Sequence, residues 1–157
     1  FLEDEFQLPF LIENPSFYTT LIEPEMSELD FINQILNKAD CGMLLDVNNV
    51  YVNSINHNDY QPADFIRGLD LDRVVQVHIA GHLEDYTAWL TGEKLKVLDT
   101  HGENIRKEVF DILEDLLSLT EIKAILLERD SNFPEFDGMI EELDEIAKIM
   151  EREKCHS

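Results

Sequence analysis

Glu13, Asp46, His78, Asp99, His101 and Glu128 each stand at or just beyond the end of a short apolar run: PFLIEN, CGMLLDVNN, VVQVHIAGH, KVLDTHG and AILLERD. Carboxylates and imidazoles are the donors of divalent first-row metals, and a set without thiolate suits iron, manganese or zinc and argues against Cu(I) and iron–sulfur clusters. If these acids share a pocket, two carboxylates about 5 Å apart at an effective dielectric near 20 repel by about 3 kcal/mol, so cations or protons must accompany them. A metal site is therefore the expectation. One such residue is more often a helix cap or an ion pair; a series at equivalent strand ends reverses that balance.

The neighbours of these donors have chemistry of their own. Asn14, Asn48 and Asn49 can orient carboxylates or ligate weakly through the amide oxygen, although asparagine also favours turns after strands; Asn49 is the stronger candidate for the metal. His82, four residues after His78 and beyond a glycine, is expected either to brace a ligand from behind or to anchor a loop. Asp99 and His101 are two residues apart, the spacing that puts both on one side of an extended segment, where both could bind one ion. Asp130 follows Glu128 by two and is the candidate catalytic base, with Arg129 turned to the wall or into a salt bridge. His57 reads as a loop residue and His156 as part of a tail. No serine lies in a glycine-flanked elbow and neither cysteine is near a paired histidine, so triad chemistry has no support.

The elements that must position these groups follow from periodicity. Runs of this length flanked by helical patterns read as buried parallel strands, whose carboxyl ends converge on one pocket. After the first strand, Ser27 opens a Ser-x-x-Asp cap, and Leu29, Ile32, Ile35 and Leu36 keep helical spacing up to Cys41-Gly42. The second strand ends at Asp46, and the Asn-rich segment to Asp59 reads as a loop before a short helix near Ala63 to Arg67, opened by Pro62. Strand three spans Val74 to Ile79; its long loop passes Trp89 and Thr91-Gly92 to Asp99-Thr-His-Gly102, and a helix follows from about Glu103 to Leu119. Strand four, Ala124 to Leu127, delivers Glu128 and Asp130, and an amphipathic helix containing Met139, Ile140, Leu143, Ile146 and Met150 comes last. Four βα units in 157 residues amount to half of an eight-unit barrel, which takes roughly 250 residues. The expected class is α/β, with residues 1–157 forming one partial TIM-barrel domain. A doubly wound open sheet is the rival and would have to lack phosphate chemistry, because no strand runs into a glycine-rich turn.

Composition narrows the partners. Twelve basic against 34 acidic residues give a formal charge of −22, which repels phosphate backbones and anionic lipid, so neither nucleic acid nor membrane is expected. Two cysteines, Cys41 and Cys155, are too few for a disulfide framework and lack metal-ligand spacing, which suits a reducing cytoplasmic setting. Residue 1 is Phe, which suggests a truncated or processed product.

Taken in order, Glu13-Asn14-Pro15, Leu-Leu-Asp46-Val-Asn48-Asn49-Val-Tyr-Val-Asn, His78-Ile-Ala-Gly-His82, Asp99-Thr-His101-Gly102 and Glu128-Arg129-Asp130 resemble the MbnB and TglH type of barrel protein, near the xylose isomerase-like TIM barrels. The resemblance covers essentially the whole chain and implies the carboxyl-terminal half of a TIM barrel, the family's amino-terminal half with its further histidine ligands being absent. It also implies a non-haem enzyme with two or three irons that uses dioxygen to remodel cysteine in a ribosomally made peptide, usually presented by a partner protein. By motif, Glu13, Asp46, His78, Asp99, His101 and Glu128 are then iron ligands, Asn49 lies near the cluster, His82 supports the ligands from behind, and Asp130 lies near the substrate. Two alternatives stand beside it: a divalent-metal isomerase or hydrolase using manganese or zinc, and a noncatalytic half barrel that binds metal or serves assembly. Half a barrel exposes two strand edges, so self-association or a complementary chain is expected.

Overall fold

The computed structural model describes residues 8–19, 25–84 and 97–154. Trp89, Thr91-Gly92, Cys155 and His156, named above, lie outside them. Four strands, β1 (Leu11–Glu13), β2 (Gly42–Asp46), β3 (Val74–Ile79) and β6 (Ala124–Leu127), form one wholly parallel sheet in the order β1-β2-β3-β6. A two-stranded antiparallel ribbon, β4 (His82–Glu84) with β5 (Val97–Asp99), pairs His82 with Asp99. The helices are α1 (Glu28–Ala39), α2 (Val47–His57), α3 (Pro62–Gly68), α4 (Lys107–Leu117) and α5 (Phe136–Lys154).

Alternation along the strands divides the sheet into two unlike faces. Met43, Leu45, Val77 and Ile79 point one way and are fully buried in a core with Leu36, Phe65, Ile66, Val109, Leu113, Leu116, Ile146 and Ile149 from the helices. Leu44, Asp46, Gln76, His78 and Leu126 occupy the alternate positions, and Leu126 remains 46% exposed. A parallel sheet is normally covered on both faces. Among the described residues the helices cover one, and the other carries the chemistry.

Local sequence explains most helix ends. Ser27 caps α1 as expected, accepting from the Asp30 N–H, and Pro62 stands at the first turn of α3. The Asn-rich segment is not a loop: Val47–His57 is helical, starting directly from β2 with Asp46 as its N-cap. Its burial supplies what its weak helix formers lack, since Val47, Val50 and Val52 are fully buried. His57 accordingly lies in the last turn of α2, stacked on Phe17 at 4.2 Å and in contact with the Phe17 carbonyl at 2.7 Å. Helix α4 starts at Lys107, later than the pattern suggested. Residues 103–105 instead cross the turn at Gly81, where a side chain would collide with the Glu103 carbonyl, and the Ile105 N–H donates to Glu142 Oε1 at 2.9 Å.

Candidate metal centre

Glu13 ends β1, Asp46 ends β2, and His78 is the penultimate residue of β3, paired in register with Asp46; Glu128 follows β6 directly. One ligand atom from each of Glu13, Asp46, His78 and Glu128 falls within 4.8 Å of all the others. His101, Glu128 and Asp130 form a second such group, so Glu128 belongs to both. His78 Nδ1 stands 3.0 Å from Glu128 Oε2 and 3.5 Å from Glu13 Oε1. The His101 ring lies between two sets of carboxylates: Nε2 is 2.8 Å from Asp99 Oδ1 and 3.9 Å from Asp46 Oδ2, while Nδ1 is 3.4 Å from Glu128 and 3.5 Å from Asp130.

Close as they are, these pairs are ion-pair contacts rather than well-aligned hydrogen bonds. His78 Nδ1, both ring nitrogens of His101, Asp46 Oδ2 and Asn49 Oδ1 are buried and have no partner of acceptable geometry. Donor atoms that approach one another yet miss the hydrogen-bond angle are what convergence on a common central point produces, and orphaned buried polar atoms are rare without such a reason. The residues present therefore fit a cation, with oxygen and imidazole donors of the type expected from sequence.

Helix α2 braces the site through its asparagines. Asp46 Oδ1 accepts from the Asn49 N–H at 2.8 Å as the helix cap, which leaves Oδ2 for the pocket. Asn49 Nδ2 donates to the Asn14 carbonyl at 3.0 Å, which commits its nitrogen and leaves Oδ1 free. Asn48 Nδ2 donates to Asp99 Oδ1 at 2.8 Å, and Asn48 Oδ1 contacts His82 Nδ1 at 2.8 Å. Farther along, Asn56 holds both backbone groups of Val97, so the ribbon that carries Asp99 is fastened to the helix.

Asp99 and His101 do not share one side of an extended segment. Asp99 ends β5, while His101 has φ 45, in the left-handed region, with its carbonyl accepting from the Asp130 N–H at 2.8 Å. Their side chains meet each other instead. Asp99 is further held by Ser16 Oγ, which donates to Oδ2 at 3.0 Å, and its N–H donates to the Tyr18 hydroxyl at 2.8 Å. Asp130 is 68% exposed at the rim, and Arg129 turns away to Glu142 at 2.6 Å. His82 is fully buried, stacked on Tyr51 at 4.9 Å.

The electrostatics follow from this crowding. Burial above all, with the Asp99 charge adding to it, pushes the Asp46 carboxyl up to about 7 against the pull of the Asn49 N–H. The Asp99 carboxylate against its ring holds the His101 imidazolium up to about 9 despite burial. Burial lowers His82, which favours the neutral ring. Ser16, Tyr18 and Gln76, the last with its Nε2 at 3.1 Å from His78 Nε2, were not singled out from the sequence. Only Gln76 left a signal there, two residues before His78 on the same strand face.

No helix among the described residues is long and apolar enough to cross a membrane. In sequence the chain is 44% identical over 147 residues to a UPF0276 protein of Nitrosospira multiformis, covering 94% of this chain and 49% of that protein. It is 39% identical to one of Shewanella sediminis, covering 92% and 49%, and 37% identical to one of Haemophilus influenzae, covering 96% and 55%. The chain thus spans about half the length of the curated relatives it matches. The family model described as RiPP precursor modification enzyme MbnB/TglH/ChrH matches residues 2–151, and the chain belongs to that family.

Proposed function

We propose that this chain supplies one wall of the multi-iron centre of an oxygenase that modifies cysteine in a ribosomally made peptide. Family membership and the carboxylate–imidazole cluster fit a metal enzyme. The observation that carries the finer reading is the set of buried, unpartnered donor atoms on Asp46, His78 and His101, next to two ligand groups joined at Glu128. Glu13, Asp46, His78 and Glu128 would hold one ion and His101 with Glu128 a neighbouring one, with Asn49 Oδ1 and Asp99 as further oxygen donors. Iron bound there supplies open positions for a thiolate and dioxygen together with one-electron chemistry. The chain's own contribution is to fix the donors from behind: Asn49 and Asn14 on Asp46, Asn48 and Ser16 on Asp99. Asp130, exposed at the rim, is the group placed to exchange a proton with bound substrate.

Residues 1–157 are read as one domain, the carboxyl-terminal half of a (β/α)8 barrel. The sheet face that no helix covers among the described residues, the edge strands β1 and β6, and the doubled length of the relatives support this. A complementary chain or a second copy would then cover that face, and a peptide-presenting partner would deliver the substrate. The test is anaerobic loading with Fe(II), followed by oxygen, a cysteine-bearing precursor peptide and its presenting protein. A change in peptide mass is expected; an unchanged mass in the assembled system overturns the oxygenase reading. A divalent-metal isomerase or hydrolase is the second reading, since the same oxygen and imidazole donors suit manganese or zinc as well as iron. Turnover with manganese or zinc in the absence of oxygen would select it.

A further inference from the structure

We propose that Gln76 sets which nitrogen of His78 is offered to the metal centre, by turning its side-chain amide between two hydrogen-bonded states. This rests on the metal centre proposed above. Gln76 and His78 are two residues apart on β3 and so share a face. Gln76 Nε2 lies 3.1 Å from His78 Nε2, which commits that ring nitrogen to the glutamine. Nδ1, on the other side of the ring, is the atom that faces Glu128 and Glu13, at 3.0 and 3.5 Å.

With its amide nitrogen toward the ring, Gln76 donates to an unprotonated Nε2. The hydrogen of the neutral ring is then on Nδ1, where it blocks a cation. Half a turn of the amide brings Oε1 to the same place, accepting from Nε2–H, and Nδ1 presents its lone pair among Glu13, Asp46 and Glu128. The amide is nearly symmetric in shape, so the turn changes donor for acceptor without changing packing. Glutamine can serve both states; glutamate only accepts, and leucine does neither. Gln76 is thus a positioning residue that acts through His78.

The test uses the chain with 15N-labelled histidine, titrated with Zn(II) as a diamagnetic probe and read by long-range 1H–15N correlation, in wild type, Gln76→Glu and Gln76→Leu. Wild type should bind zinc through Nδ1 with a hydrogen on Nε2. Gln76→Glu should keep that mode with equal or tighter affinity, and Gln76→Leu should lose about 10–100-fold. Zinc on Nε2, or wild-type affinity in Gln76→Leu, overturns the proposal. If wild type binds no zinc, the metal-centre reading fails instead, and the zinc-free spectra still decide the role of Gln76. Nε2 should be unprotonated in wild type and protonated in Gln76→Glu, and the same state in both overturns the proposal. Should Gln76→Leu not fold, the Gln76→Glu comparison carries the test alone.

Discussion

Asn14 and Asp46 clasp each other across adjacent parallel strands. The Asn14 amide donates from Nδ2 to the Asp46 carbonyl at 2.9 Å and accepts at Oδ1 from the Asp46 N–H at 2.9 Å. Both residues are fully buried, so the side chain of one replaces a missing rung of the ladder where β2 turns into α2 and Asp46 faces the pocket. Asn14→Ala strands a buried N–H and a buried carbonyl, each expensive to leave unmade. The expected loss is about 1–3 kcal/mol in urea denaturation. A variant as stable as wild type would mean that water replaces the amide without penalty.

Asp46 has two oxygens with separate duties, and Asp46→Asn separates them. Asparagine is as good an N-cap as aspartate, so the bond from the Asn49 N–H at 2.8 Å is retained while the charge on the pocket is lost. Removing a buried carboxyl that is pushed up to about 7 also relieves desolvation. Stability should stay within about 1 kcal/mol of wild type, with metal affinity falling by at least about 10–100-fold in calorimetric titration. Metal binding at wild-type affinity would remove Asp46 from the ligand set.

The sequence displayed the sheet and the strand-end donors because both are local. An apolar run that terminates in Glu13, Asp46 or Glu128 needs no partner to be seen, and His78 is equally visible inside VVQVHI. Helix α2 was hidden because valines and asparagines are weak helix formers; what makes it a helix is burial of Val47, Val50 and Val52 and the cap from Asp46. The left-handed backbone at His101 depends on a bond from the Asp130 N–H, 29 residues downstream in number, and so defeated the two-residue alternation rule. Ser16 and Tyr18 reach Asp99 from 83 and 81 residues away in sequence, a relation that no spacing rule reports.

Arg129 and Glu142 tie the turn after His101 to α5. The pair is 2.6 Å apart, with the Arg129 side chain 3% exposed; Arg129 Nη1 also donates to the Gly102 carbonyl at 3.2 Å, and Glu142 Oε1 accepts from the Ile105 N–H. Removing one member leaves an uncompensated buried charge, so Glu142→Ala should cost about 3–5 kcal/mol. The double variant Arg129→Met, Glu142→Ala should be less destabilised than the sum of the two single variants. Strict additivity in denaturant melts would show that the two side chains act independently.

Glu28 gives the fold a pH dependence outside the metal pocket. Burial raises its carboxyl from 4.5 to about 7, while the Asn53 amide, donating to Oε1 at 3.1 Å, and Tyr60 pull it down; Oε2 is buried without a partner. A carboxyl raised in the folded state binds more protons folded than unfolded between those two values, so its contribution to stability falls as pH rises from 4.5 to about 7 and is flat above. Glu28→Gln keeps an acceptor for Asn53 and removes the ionisation. Its advantage over wild type should therefore grow across that window and level off at roughly 1–2 kcal/mol, the shift being discounted for partial exposure. Urea melts of the two proteins at pH 5 and pH 8 measure the difference directly, and a gap that does not change with pH would mean that Glu28 ionises in the folded chain as it does in the unfolded one.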